Sequence, residues 1–520
     1  MSQPPAEPQA AADRAPSRAG YLLNIFFASF GFLVLRFLLS PLRIKILSSF
    51  LSKDDYGVLT LVSLTVSFVT LVTSLGSLEF LLRKLPGRSG EYQFSIFRMV
   101  AARFGALGAV VALLGAAALA ARPPAGLNLG PADAVACGVL LLLTVPLTQG
   151  VHFLFGRTEY AHARVIQLLY AETWFLPLLV FAGAGGLRVS HVLWIWVVWL
   201  LLTIALGQKW VDLRAVRRAA VPPGALKEVL AFGLPLMPMI FGEWLFRIQD
   251  RYVLLALRDL QAVANYGLCI GLALVGMTVG TSVLDILLAE FFKVRNPMAT
   301  NDLAELSSHA GLRAIFTMMI RYSVVVLVPL VAALCLAGPQ IIRFLSDPKY
   351  LDAAGILPWT VPVPVLGCWI FVLGRTLMSV DRGAAVGWAT LLAAAANIGL
   401  NLLLVPALGE RGAALANSLS YAALAAYLAW AVRAWRWLVV RDLMPARLAV
   451  MAALAAAGFY VARFVLHAGT LGVLAGGGAW GVACAFLLGL VRKADLNLLV
   501  PPMQEPLPAA CLEADEKVLP

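Results

Sequence analysis

Charge is scarce in this chain of 520 residues: Asp, Glu, Lys and Arg together make up 13%, against about 25% in soluble domains. So few charges cannot cover the surface of a soluble fold of this size. The polar stripe of a soluble surface helix is missing too, and residues 134–155 hold no Asp, Glu, Lys or Arg at all. The six cysteines (Cys137, Cys269, Cys335, Cys368, Cys484, Cys511) include no CxxC, which argues against a disulfide framework or a zinc site and for small apolar packing residues. The five histidines (His152, His162, His191, His309, His467) show no metal-ligand spacing, and no nucleotide-binding loop is present. No cleavable signal is apparent, because the first apolar run has spanning length and no cleavage pattern follows it.

Long apolar blocks take the place of charge: 61% of the residues are hydrophobic. A membrane-spanning helix needs about 20 mostly apolar residues. Fourteen stretches qualify: 21–41, 57–80, 100–121, 134–155, 166–185, 189–208, 226–246, 263–290, 320–338, 355–377, 384–406, 411–432, 446–466 and 470–491. Backbone groups in lipid must bond internally, and these runs lack the short alternation of a barrel, so the chain reads as an all-α polytopic membrane protein. With the amino terminus inside, the inner segments hold 26 Lys and Arg and the outer ones 12, with Arg36 and Arg103 within spans. The positive-inside rule then predicts that both termini are cytoplasmic. This placement also accounts for the net charge of +12 without nucleic acid. Residues 1–20 and 492–520 read as flexible cytoplasmic tails.

Three motifs recur. Phe30-Gly31 with Arg36 matches Phe241-Gly242 with Arg247 at an offset of 211, and Tyr56-Gly57 matches Tyr266-Gly267 at 210. Gly156-Arg157-Thr158 with Arg164 matches Gly374-Arg375-Thr376 with Arg382 at 218. The offsets pair helices 1, 2 and 4 with 7, 8 and 10. They predict two parallel six-helix halves, 21–208 and 226–433, joined by a cytoplasmic linker at 209–225 and followed by an extra helix pair at 446–491. Such a design leaves a cavity between halves that opens to either side by rocking.

On these residues the chain resembles the multidrug/oligosaccharidyl-lipid/polysaccharide exporter superfamily, in its polysaccharide-exporting, O-antigen flippase-like branch. Further matching stretches are Leu51 to Gly57, Gly233-Leu234-Pro235-Leu236, Asp250-Arg251-Tyr252 and Ala264-Asn265-Tyr266-Gly267. Another runs from Asn397 and Asn401 through Pro406 to Gly412-Ala413-Ala414. The resemblance implies a flippase that moves a polyprenyl-diphosphate-linked oligosaccharide from the inner to the outer leaflet of a bacterial cytoplasmic membrane. It implies no enzyme activity, and as partners the membrane lipid and a polysaccharide polymerase with its export machinery. Fourteen helices also resemble the lipid II flippase branch, but that branch's Gly- and Asp-Ala-containing motif is not evident in the first helices.

A lipid diphosphate needs cations and a wet lining, and ionisable residues at membrane depth usually face a cavity or a partner. Arg36, Arg247 and Arg251 are the candidates for binding it, through the bidentate geometry that arginine favours; snorkelling to water is the alternative. Glu243 and Asp250 stand beside Arg247 and Arg251, as ion-pair partners or, with Asp285, as carriers of a coupling H⁺ or Na⁺. Coupling is not required, since outward movement of each negative charge gains about 2.3 kcal/mol per 100 mV. Arg157, Arg164, Arg375 and Arg382 bracket inner loops as anchors or as a cytoplasmic gate. Pro235 and Pro238 offer a hinge in helix 7. Asn397 and Asn401 line the cavity or bond between helices. The rival functions are a multidrug exporter of the same superfamily and a membrane glycan polymerase or ligase. Against an enzyme, no outer loop exceeds about twenty residues, a connector length.

Overall fold

The computed structural model describes residues 35, 38–86, 88–123, 127, 129–181, 187–295, 298, 300–465 and 469–491. Among them there are helices and turns and no strand. The helices of the first six-helix set are α1 (38–50), α2 (Lys53–Thr73), α3 (Gly90–Ala121), α4 (Pro131–Gly156), α5 (Tyr160–Gln167) and α6 (Val189–Gly207). The second set comprises α7 (Met237–Leu257), α8 (Leu260–Arg295), α9 (Ala310–Leu336), α10 (Pro362–Met378), α11 (Gly383–Leu408) and α12 (Glu410–Val432). Two more follow, α13 (Pro445–Tyr460) and α14 (Thr470–Leu487). Twelve stretches among the described residues are long and apolar enough to cross a membrane, and Gly472–Leu487 is a shorter apolar helix. Of the expected first span, 21–41, only the last residues are described, so its candidate Arg36 lies outside the described residues.

Local chemistry keeps these helices self-sufficient in an apolar setting. Hydroxyls fold back on carbonyls one turn earlier, as in Thr60 to Tyr56, Thr70 to Val66 and Thr144 to Leu140, which satisfies them without water. Ser52 caps α2 by accepting from the Asp55 N–H at 3.1 Å. Arg258 donates to the carbonyls of Val405 at 3.1 Å and Pro406 at 2.8 Å, closing the last turn of α11.

The seventh span is broken. Ala225–Gly233 is helical, Leu234–Leu236 forms a 3-10 turn holding Pro235, and α7 begins at Met237 with Pro238 next. The two parts pack differently. Ala225–Gly233 lies against Ser77–Lys84, which follows α2, whereas α7 runs along α11. Glycine permits both contacts. A Cβ on Gly233 would stand 2.3 Å from the Leu75 carbonyl oxygen, and Gly76 opposite has a φ of +77°. A Cβ on Gly242 would lie 2.8 Å from the Leu391 backbone nitrogen. Small residues let membrane helices approach this closely.

One buried cluster runs through both sets, from Ile44 and Leu51 to Leu260, Ile341 and Tyr350. Three others are separate: one around Phe316 and Trp437 in the second set, one around Phe80, Phe97 and Phe153 that includes Val229 of the broken span, and one around Met451 and Leu490. The last pair, α13 and α14, packs on α9.

At one end of the bundle the two sets are fastened together. Lys53 bridges to Asp352 at 2.8 Å, Lys45 donates to the Ser346 carbonyl at 2.6 Å, and Lys349 to the Leu51 carbonyl at 2.7 Å. The Asp347 N–H donates to Ser48 at 3.1 Å, and the rings of Tyr56 and Tyr350 meet edge to face at 5.7 Å. We call this the latch end; the charge count predicts it to be the outer one. The opposite end, with Arg83 and Arg375, is the basic end.

Candidate functional site

Two cavities lie in line between the two helix sets. The one toward the latch end, of about 440 Å³, is walled by α1, α2, α4, α6 and the segment after α5 that holds Tyr170, Glu172 and Trp174 on one side, and by α7 and α8 on the other. The one toward the basic end, of about 470 Å³, lies between α2, Ser77–Lys84 and α4 of the first set and five helices of the second. Trp244 and Arg247 line both, so these two side chains stand at the partition. Their placement follows from α7: residues three apart share one helix face, and the Arg247 guanidinium sits 5.4 Å over the Trp244 ring.

Arg247 is exposed to this space, and its guanidinium makes no hydrogen bond or ion pair with the described residues. Arg251, one turn on, is different. It is 5% exposed, bridges Asp250 at 2.9 Å and donates to the Arg247 carbonyl at 2.5 Å. Asp250 is wholly buried and also accepts from the Tyr266 hydroxyl, which itself accepts from Asn417 at 3.2 Å. Removing either charge would leave its partner buried and alone, which is costly. Of the two described arginines expected to hold an anion, one is free and the other is largely committed to this network.

Charge differs between the cavities. Arg43, Arg247 and Arg251 face one carboxylate, Glu172, in the latch-end cavity. In the basic-end cavity Arg83, Arg247 and Arg375 are matched by Glu79, Glu243 and Asp285. Glu172 ends a π-helical turn, Leu168–Glu172, that extends α5, and Arg43 bridges it at 3.6 Å. Such turns recur at functional sites. Beside it Trp174 and Trp196 stack at 4.5 Å.

Glu243 and Asp285 both line the basic-end cavity. Glu243 and Arg247, one of the two expected ion pairs, do not form a salt bridge; Asp250 and Arg251, the other, do. The four inner-loop arginines disperse. Arg375 lines the basic-end cavity, over Phe371 at 5.3 Å. Arg157 pairs with Glu159 at 3.1 Å and covers Phe94, and Arg164 donates to Gln167 at 3.0 Å. Arg382 lines a separate cavity with Arg433, Arg436 and Trp430. They form no single gate. Asn397 and Asn401 are fully buried and bonded to each other at 2.7 Å, and they line neither cavity.

The third motif match is not a structural equivalence. Gly156 is the last residue of α4, whereas Gly374-Arg375-Thr376 lies inside α10. The turns that do correspond contain Thr158 (φ 63°) and Asp381 (φ 58°). Each is followed by an N–H that reaches five residues back, Glu159 to Leu154 and Arg382 to Leu377. The matched arginines therefore face different surroundings.

Arg43, Glu172, Trp174, Trp196 and Trp244 join the candidate residues only in the folded chain. Glu172 had a signal: it is the only Asp or Glu in the expected span 166–185, and a lone acid at membrane depth marks a pathway or a partner. Lys53 and Tyr56 of the latch fell in a matching stretch, but their pairing had no signal, because it joins positions about 300 apart in the chain.

Residues 46–355 match the family described as "Polysaccharide biosynthesis protein". The fold is similar to that of a lipid II flippase, MurJ, in an inward closed conformation. The TM-score is 0.64 at 12% identity, covering 91% of this chain and 99% of that one. It is also similar to an inward-facing multidrug resistance MATE transporter, with TM-score 0.61 and 14% identity over 78% and 94% of the two chains. No curated protein matches the sequence. The chain belongs to the polysaccharide biosynthesis protein family, and its fold is similar to that of these two membrane proteins.

Proposed function

We propose that this protein flips a polyprenyl-diphosphate-linked oligosaccharide from the cytoplasmic to the outer leaflet of a bacterial cytoplasmic membrane, by alternating access between residues 21–208 and 226–433. The observation that carries this reading is Arg247, an unpaired guanidinium at the junction of two cavities stacked along the expected path. A diphosphate entering from the basic end meets balanced charge, then the free arginine, then a cavity where Arg43 is paired with Glu172 and Arg251 with Asp250. Its sugars meet a lining that offers Trp174, Trp196 and Trp244, flat apolar faces with polar edges. The latch closes the far end while the basic-end cavity receives cargo, and the break at Leu234–Leu236 lets α7 move with the second set while Ala225–Gly233 stays with the first.

The uncompensated charge of Arg247 favours this reading over export of cationic drugs. The two make opposite predictions on deletion: lipid-linked glycan trapped on the cytoplasmic leaflet for a flippase, heightened drug sensitivity for a multidrug exporter. Glycosyl transfer by the purified protein would instead establish a polymerase or ligase.

For coupling to H⁺ or Na⁺, Glu243 and Asp285 are the better candidates, because both face the cavity while Asp250 is held by Arg251 and Tyr266. Glu243→Gln is expected to remove any dependence of transport on an imposed pH or Na⁺ gradient. Unchanged gradient dependence in both Glu243→Gln and Asp285→Asn would exclude them.

A further inference from the structure

A further cavity, of about 230 Å³, lies on the other side of α2 from the central pair. Helices α2, α3 and α4 wall it, and Tyr252 of α7 closes one side. Its lining is nearly all hydrocarbon. Ala112, Gly115, Ala116 and Gly138 make a shallow floor, with Leu61 and Val69 above them. Two hydroxyls reach it, from Thr65 and Tyr252, and they bond to each other at 2.6 Å. Thr65 already donates to the Leu61 carbonyl at 2.7 Å, so its single proton is used and Tyr252 is the donor. Neither hydroxyl has a proton left to offer, and the groove suits a ligand without polar groups.

Its position narrows the ligand. Val66 lines both this groove and the latch-end cavity, so one turn of α2 separates them. Tyr252 follows Arg251 directly, and the Thr65–Tyr252 bond spans α2 and α7, one helix from each set. On the far side the adjoining face of α3, with Val110, Leu113 and Leu114, is exposed as a lipid-facing surface would be. A chain tethered to an anion at Arg247 has this gap beside it and this groove immediately beyond.

We propose that the groove seats the first isoprene units of the substrate's polyprenyl tail while the diphosphate occupies the latch-end cavity, with the Thr65–Tyr252 bond as the bolt that the tail must pass. The inference rests on the flippase reading above. The size is apt: an apolar cavity of about 150 Å³ holds a six-carbon ring, so this one takes roughly nine or ten carbons, about two isoprene units. Gly115, where a Cβ would meet nothing within 4 Å, leaves room for a branching methyl. A tail tethered to a held headgroup is presented at high effective concentration, an advantage that free bilayer lipid lacks.

The test uses the full-length protein in vesicles and a polyprenyl diphosphate bearing a benzophenone in its second isoprene unit. A phosphatidylglycerol with the same photophore on an acyl chain is the comparison. The polyprenyl probe is expected to label residues 61–69 and 111–119, and the phospholipid probe is not. A Cβ on Gly115 would have nothing within 4 Å, so Gly115→Trp fills the groove without a backbone clash. It is expected to abolish the labelling and slow glycan transfer; Leu114→Trp, on the exposed face of the same helix, is expected to do neither. Equal labelling by the phospholipid probe, or labelling and transfer indifferent to Gly115→Trp, would overturn the proposal. If wild type transfers the glycan and the probe labels the Arg247 cavity but not the groove, this inference fails alone. If wild type transfers no lipid-linked glycan and the probe labels neither place, the flippase reading fails with it.

Discussion

At the scale of single residues, one arginine is separated from its neighbours by what surrounds it. Arg247 and Arg251 sit one turn apart on α7 and look alike in sequence. Only the fold shows that Asp250, Tyr266 and Asn417 have engaged the second and left the first open to both cavities. Two different outcomes follow. Arg247→Ala is expected to leave the protein folded and to cut transport about ten- to a hundredfold, the value of a charge-assisted contact of about 1.5–3 kcal/mol. Arg247→Lys is expected to restore only part of it, since the bidentate fork is lost. Arg251→Ala strands a buried carboxylate and is expected to act on stability, by about 3–5 kcal/mol. Detergent-solubilised thermal unfolding beside a transport assay separates the two; a destabilised Arg247→Ala would contradict the assignment. The candidates were legible in the sequence because charge at membrane depth is conspicuous. Asp250 was legible as a partner of Arg251, its neighbour in the chain; Tyr266 and Asn417 were not, since Asn417 lies 151 residues from Tyr266.

At the scale of elements, the broken seventh span and the latch are the parts that motion would use. The break could be read from Pro235 and Pro238, because proline's missing donor and fixed φ interrupt a helix anywhere. That Ala225–Gly233 packs on the first set while α7 packs chiefly on the second could not be read, because it depends on the close approach of Gly76 and Gly233. Replacing Pro235 and Pro238 together by Ala is expected to slow turnover while photolabelling of the cavity persists. Gly233→Val forces a side chain into the Leu75 carbonyl and is expected to lower the unfolding temperature; an unchanged one would contradict the close approach. At the latch, Ser48→Cys with Asp347→Cys is expected to block transport when oxidised and to release it on reduction. Free transport with the bond formed would show that these segments need not part.

For the whole molecule, the apolar blocks were enough to give a helical bundle, since lipid leaves the backbone few alternatives. The repeat register was harder. Matching Gly-Arg-Thr triplets aligned the end of α4 with the interior of α10, whereas the true correspondence is a backbone turn, shared by Thr158 and Asp381, that unlike side chains adopt. Cavities between helix sets are properties of assembled surfaces, and no local pattern announces them. The central claim is that a lipid-linked anion crosses between leaflets through the space that Arg247 spans. Leaflet-resolved detection of a polyprenyl-diphosphate-linked oligosaccharide in vesicles tests it most directly, comparing wild type, Arg247→Glu and protein-free membranes. The account predicts transfer to the opposite leaflet with wild type alone, and an Arg247→Glu variant that is folded but close to the protein-free level. Wild-type transfer that Arg247→Glu matches, or none above protein-free membranes, would contradict it.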